Sequence, residues 1–330
     1  MEQHYIGVDL HKTFFQACAV RATGERLWEA RFRRTATDLE QFRQRCHGAV
    51  RIAVEATGGT WSFVDLITPW VASVCVVDPR KTKLKAGFAA KTDRLDARRL
   101  ADALRRDSVV SVYIPPPAIR ELRELCRGRH HVVRVRMRVA QMIRALLMRA
   151  GIDDAPAKRL YTQRGLAWVR GLTVAPAAHT TLQRLLRLLE VAHEEARDAD
   201  ARVKAVATQD PIAEALQALA GIGPVRALTI RAEIGDIGRF RRGAALASYA
   251  GLVPRVDASG TRYSVGRITR TGSPWLRWVL VEAAIHALKR PDRVGVWGRR
   301  LACRKGVYKA RVAVARVLCT EIVRIWPRSL

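Results

Sequence analysis

The chain has 330 residues, 49% of them hydrophobic, which excludes a disordered polypeptide and leaves room for two or three globular domains. Its 59 Lys and Arg stand against 30 Asp and Glu, a formal net charge of +29 that implies a polyanionic partner, since nucleic acid relieves the self-repulsion of so basic a chain. The longest apolar run, Val71 to Val77, is strand-sized, and there is no lipidation signal or basic amphipathic anchor, so a membrane partner is excluded in favour of nucleic acid.

Residues 1 to about 110 alternate strands and helices. Tyr5 to Asp9 is a short apolar strand, and Phe14 to Val20 and Arg26 to Phe32 are two more, joined by the turn Ala22-Thr-Gly-Glu25. A helix is expected from about Thr37, with Thr37 as cap and Glu40 completing a capping box. Val50 to Val54 is a fourth strand ending at Glu55. A helix from about Gly59 to Trp70 and a fifth strand, Ser73 to Val77, follow. Three antiparallel strands and then strand–helix alternation is the order of a ribonuclease-H-like fold.

After Pro115-Pro-Pro117 the pattern becomes helical. Leu122, Leu125, Val132, Val139, Met142, Ile143 and Leu146 keep helical spacing through an Arg-rich stretch from Arg120 to Arg149. Leu182, Leu185, Leu189, Ala192, Ala196, Ala199, Val203 and Val206 then advance by threes and fours, a heptad seam. It reads as a coiled-coil hairpin or dimer contact, against the alternative of one helix in an intramolecular bundle; the small Ala residues weaken the grip. A third region begins near Asp210-Pro211. There Leu219-Ala-Gly-Ile-Gly-Pro224 joins two helical runs, with Pro224 in the first turn of the second. Gly221 and Gly223 could let backbone amides approach a phosphate, as in helix-hairpin-helix DNA binders. The expected domains are therefore 1–112, 113–208 and 209–330, the last mainly helical.

Four carboxylates carry the chemistry. Asp9 ends the first strand and Glu55 the fourth, and acids ending neighbouring strands share a crevice. Asp93 and Asp96, three apart in Lys91-Thr-Asp-Arg-Leu-Asp-Ala97, share a helix face that continues as Ala97, Leu100, Ala103 and Leu104, so both should point at the sheet. Acids on a buried face need compensation. Two Mg²⁺ ions about 3.5–4 Å apart would supply it and would serve both oxygens of a phosphodiester displacement; Mn²⁺ is the alternative cation. The competing reading is a helix N-terminus that favours acids through its dipole, with Asp9 and Glu55 paired to Arg.

Other features are less directive. Only ten of the basic residues are Lys; the Arg excess suits bidentate phosphate contact and equally a GC-rich codon bias. Cys18, Cys46, Cys75, Cys126, Cys303 and Cys319 form no Cys-x-x-Cys pair, which argues against a zinc site or disulfide scaffold. With no signal peptide, a cytoplasmic protein is expected, nucleoid-associated when bound. His130 and His131 would face phosphate or solvent. Trp275, Trp278, Trp297 and Trp326 would be core rather than stacking platforms.

The segments Ile6-Gly-Val-Asp-Leu-His-Lys12, Glu55-Ala-Thr-Gly58, Val77-Asp-Pro79 and Lys91 to Ala97 resemble the DEDD-type transposases of the insertion-sequence-110 family, relatives of Piv-like DNA invertases. Gly221-Ile-Gly223, Ala232-Glu-Ile-Gly235, Phe240, Tyr249 to Pro254, Ser259-Gly260 and Leu276-Arg277 resemble its second domain. The resemblance implies a RuvC-like domain, a coiled coil and a smaller transposase domain. It implies Mg²⁺ on Asp9, Glu55, Asp93 and Asp96, and a serine, matched by Ser259, that links covalently to DNA. It further implies a bridge RNA that pairs with donor and target DNA, and a composite site built from two protomers, hence a homo-oligomer (dimer or tetramer). Ser248 and Ser264 are weaker candidates for the nucleophile. Three positions depart from the family, Ala258 where Gln is common and Ser273-Pro274 for Gly-Asn, and these bear on phosphate contacts more than on the serine. Arg262, Arg267, Arg270 and Arg277 flank Ser259 and could grip DNA, with a solvated face as the equal alternative. Two rival functions stand beside the recombinase. One is a RuvC-type nuclease or junction resolvase that uses water; the other is a non-catalytic nucleic-acid-binding protein.

Overall fold

The computed structural model describes residues 3–78, 82, 92–153, 159–259 and 262–326. The chain divides into two compact units, Met1–Ile114 and Pro115–Leu330.

Unit one is a five-stranded sheet in the order β3-β2-β1-β4-β5. Its strands are β1 (Gln3–Leu10), β2 (Phe14–Arg21), β3 (Arg26–Arg33), β4 (Ala49–Glu55) and β5 (Ser73–Val77). β1 pairs antiparallel with β2 and parallel with β4, β2 pairs antiparallel with β3, and β4 pairs parallel with β5. This is the sheet that the ribonuclease-H-like expectation requires. β1 is central and buried on both faces, which is why it reads as a nearly continuous apolar run. Alternation sends Ile6, Val8 and Leu10 to one face, where they join Phe15, Ile52 and Val54. That face is covered by Phe42 of α1 (Ala36–Gln44) and Phe63 and Ile67 of α2 (Thr60–Ile67). The opposite face, with Tyr5, Cys18, Val20 and Ala53, is covered by Ala97, Leu100, Ala101 and Leu104 of α3 (Asp93–Arg105).

Two helix boundaries differ from expectation. Thr35, not Thr37, caps α1, accepting from the Asp38 amide. Glu40 forms no capping box and instead accepts from Arg43 at 2.7 Å, because the earlier start puts it beyond the third helical position. The helix expected from Gly59 to Trp70 ends at Ile67, and Thr68–Trp70 tightens into a 3₁₀ turn. Pro69 has no amide to continue the α-helical ladder.

Unit two starts with α4 (Pro117–Arg149), α5 (Gln163–Arg170) and α6 (Pro176–Gln209). The seam of α6 faces its own chain: Leu182, Leu185 and Leu189 pack with Val139, Ile143 and Leu146 of α4. The pair is thus a helical hairpin within one molecule. Its other end, Cys126, Val203 and Ala207, merges with the core of α7 (Pro211–Leu216), α8 (Pro224–Ile234), α9 (Gly243–Tyr249), α10 (Pro274–Ala287) and α12 (Val307–Ile325). The boundary expected at residue 208 falls inside this unit. α11 (Arg293–Lys305) packs on α12. Glu233 of α8 is buried and fastens three helices. Arg127 of α4 donates to its carboxylate at 2.9 and 3.2 Å, and so does Ser273, the cap of α10, at 2.8 Å.

The structure adds a hairpin to the expected helices, β6 (Pro254–Ser259) antiparallel to β7 (Arg262–Ile268). Trp326 and Trp278 do pack in or against the core. Trp297, by contrast, is 43% exposed, because it lies where α11 crosses the outer side of α12. His130 is not a simple surface residue either: its ring meets Trp275 and Trp278 edge-on at 4.7 and 4.5 Å.

Candidate metal centre

The site is built where α3 crosses β1. Gly7, Tyr5 and Asp9 share the face of β1 that α3 covers. A Cβ on Gly7 would lie 2.0 Å from the Ala97 carbonyl oxygen and 2.4 Å from the Ala101 amide nitrogen. Only glycine lets the helix lie this close. One step further along the strand, Asp9 meets the first turn of α3. Thr92 caps that turn by accepting from the Leu95 amide, which presents Asp93 and Asp96 at the helix start. The helix dipole favours acids there, so the electrostatic alternative from sequence operates alongside clustering.

His11 joins them. Its Nε2 is 3.2 Å from Asp9 Oδ2 and 3.4 Å from Asp93 Oδ1. The ring is fixed by stacking on Phe14 at 4.4 Å between centroids. Asp9, His11 and Asp93 each offer a ligand atom, all within 4.8 Å of one another. Burial pushes the Asp9 carboxyl above its ordinary pKa; His11 opposes the shift, and the charges of Asp93 and Asp96 add to it. Asp96 also lies 3.4 Å from Arg99 on its own helix. Glu55 comes from β4. The parallel register pairs Gly7 with Ala53 and Val8 with Val54, so Glu55 is one residue beyond the last pair, level with Asp9 and on the same face as Ala53.

These donors fit a divalent cation. A buried carboxylate that is costly to ionise, facing two more acids, gains most from a positive ion among them. Carboxylate oxygens suit Mg²⁺ and Mn²⁺, and an imidazole nitrogen is the softer addition.

Two supports were not foreseen from the sequence, His11 and Thr60. Thr60 is buried at the start of α2; its Oγ1 accepts from the Thr57 amide at 2.7 Å and donates back to the carbonyl of Thr57 or Glu55 at 3.0 and 3.2 Å. It therefore braces the turn that carries Glu55. Beside the acids, a cleft of about 350 Å³ is lined by His11, Lys12, Arg34, Thr57, Gly58 and Gly59. Histidine two residues after an Asp at the penultimate position of β1, with Lys next, was the available signal.

The other expected site residues belong to unit two. Ser259 is the last residue of β6, paired with Arg262 of β7; the side chains of both lie outside the described residues. Arg267 and Arg270 are exposed. The Arg277 guanidinium donates to the carbonyls of Ala250 and Thr271 at 3.1 and 3.4 Å, so it ties the loop after the hairpin to α10. Gly221, at φ +78°, turns against α10, where a Cβ would lie 2.4 Å from the Ala283 carbonyl oxygen. Gly223 caps α8 and has open space around its Cα. Among the described residues no helix is long and apolar enough to cross a membrane.

Two family profiles match the chain. One, for DEDD-type IS110 transposases, covers residues 6–152; the other, described as the transposase IS116/IS110/IS902 family, covers residues 213–295. The chain is 28% identical over 320 residues to the transposase for insertion sequence element IS1111A of Coxiella burnetii, spanning 94% of this chain and 86% of the relative. It is 28% identical over 318 residues to a probable family 20 transposase of Pseudomonas aeruginosa, spanning 94% and 93%. The transposase for element IS1328 of Yersinia enterocolitica matches at 26% over 288 residues, spanning 84% and 82%.

Proposed function

Because the chain belongs to the IS110 family of insertion-sequence transposases, we propose that it cuts and rejoins DNA with a Mg²⁺-binding set of four carboxylates and a serine nucleophile. The observation that supports this reading best is the meeting of Asp9, His11 and Asp93 at the α3–β1 crossing, with Asp96 close enough to shift Asp9. Asp9, Glu55, Asp93 and Asp96 would hold the cation. When bound, such an ion lowers the proton affinity of an attacking hydroxyl and offsets charge on the phosphate.

The protein groups do the rest. His11 orients Asp9 and Asp93 and can hold a proton between them. Lys12 and Arg34, in the adjoining cleft, would hold a neighbouring phosphate. Ser259 Oγ would attack the scissile phosphorus. The P–O bond to the departing strand breaks, that strand leaves as a hydroxyl with the proton the serine released, and the protein keeps a phosphoserine ester. Attack by a strand hydroxyl on that ester reverses the bonds and restores the serine. In this proposal a structured guide RNA selects donor and target by base pairing, and Ser259 serves the carboxylates of another protomer. Both elements are carried by family resemblance.

The test uses purified protein, Mg²⁺, guide RNA and cognate DNA. A protein–DNA adduct that survives denaturation should form, and should be absent from Ser259→Ala and from Asp93→Asn/Asp96→Asn. An adduct formed by Ser259→Ala removes the serine assignment. Cutting by the wild type with no adduct favours the water-using nuclease, for which His11 is a ready base. Unchanged recombination in the double variant removes the metal site.

A further inference from the structure

The face made by α9, α11 and α12 in unit two has no part in the chemistry above. From Arg293 to Thr320 there are eight Lys and Arg and no Asp or Glu. In their midst Trp297 stands 43% exposed at a cavity of about 360 Å³, walled by Ala244 and Ala247 of α9 and by Ala313, Arg316 and Val317 of α12. The cavity floor is tight because Gly243 brings α9 onto α12; a Cβ there would lie 2.4 Å from Thr320 Cα. Arg300 and Arg304 follow Trp297 at helical spacings of three and seven, on the same face of α11. Together with Arg316 they are exposed and make no ion pair among the described residues.

An exposed indole in a slot of alanines, with Arg316 in its wall and Arg300 and Arg304 on the same helix face, offers a flat π surface together with charge for a phosphate backbone. A second copy of this chain is a poor occupant, since like faces of such charge repel. Intact duplex is poor as well, because its bases are already stacked on each other and leave the indole nothing to cover. A transposase exposes unpaired DNA when strands exchange, and that favours DNA over RNA as the strand bound here. We infer that the α9–α11–α12 face binds unpaired DNA, one base stacking on Trp297 while Arg300, Arg304 and Arg316 hold flanking phosphates.

The experiment measures anisotropy of a labelled single-stranded oligodeoxynucleotide, its duplex and the RNA of the same sequence, each with the full chain at physiological ionic strength. Trp297→Ala should weaken single-strand binding about tenfold and duplex binding by less than about twofold, while Trp297→Phe stays near wild type. Arg300→Gln/Arg304→Gln/Arg316→Gln should lower the slope of log affinity against log salt by about 2 for the single strand. Wild-type affinity in Trp297→Ala overturns the inference, and so does an equal loss on duplex. RNA bound more tightly than DNA through Trp297 overturns the choice of DNA. Thermal melting accompanies each variant; should Trp297→Ala melt early, the arginine variant, wholly on the helix surface, decides alone.

Discussion

Asp9 shows how a proposed metal ligand conflicts with the fold that holds it. Its carboxyl is buried beside Asp93 and Asp96, and burial is the main reason its proton is held more tightly than in an ordinary aspartate. With no cation bound, ionised Asp9 opposes folding, so Asp9→Asn should raise the melting temperature in chelator by a few degrees while abolishing strand exchange. Added Mg²⁺ should stabilise the wild type and leave the variant unmoved; a lower melting temperature for Asp9→Asn in chelator contradicts the account. The cysteines allow a second test at the same scale. Burial pushes Cys18 and Cys126 up to about 11 and Cys46 and Cys319 up to about 12. Thiolate is the reactive form, so alkylation of the native protein should label exposed Cys303 first, with the buried thiols labelled only after denaturation, as mass spectrometry reads directly. The sign with pH follows. An unfolded thiol loses its proton near about 8.5 while the folded one keeps it, so stability falls as pH rises from there towards 11–12.

At the scale of elements, the crossing of α3 over β1 decides whether the site exists. Gly7→Ala forces a methyl against the Ala97 carbonyl oxygen, and the helix must retreat. The variant should lose about 1–3 kcal/mol of stability in urea titrations and, because Asp93 and Asp96 retreat with the helix, most of its stabilisation by Mg²⁺. Loss of stability with full Mg²⁺ response would separate the packing from the site. The inner strands of unit one were legible because they are largely buried, and Asp9 and Glu55 could be read at or next to strand ends on that account. His11 was not: a lone histidine after a strand looks like a surface residue until α3, far along the chain, returns Asp93 to 3.4 Å from it. The β6–β7 hairpin was illegible for the opposite reason. Val256 and Val265 face each other across it, yet both remain exposed, so the pattern lacks the apolar alternation that marks a half-buried strand. The seam of α6 signalled packing faithfully, but a heptad does not say whose helix it meets; here it meets α4 of the same chain.

For the whole molecule, the proposed chemistry asks whether the carboxylates of unit one and Ser259 of unit two act on one phosphate within a chain or between chains. The net charge of +29 gathers the chain onto polyanion whatever the answer, so DNA affinity alone cannot report on it. Complementation can. Asp93→Asn/Asp96→Asn keeps its serine, and Ser259→Ala keeps its carboxylates; each alone should be inactive yet bind DNA with near-normal salt dependence. If each active centre joins the carboxylates of one protomer to the serine of another, a mixed dimer has one centre with both parts intact and one with neither. Equal mixing makes half the dimers mixed, so adduct formation should return to about a quarter of the wild-type yield in a two-fold assembly. If each chain instead uses its own serine, every centre in the mixture lacks one part and no adduct forms at any ratio. Titrating one variant into a fixed amount of the other separates these cases, because trans assembly gives a maximum at a defined ratio and cis assembly gives a flat line at zero.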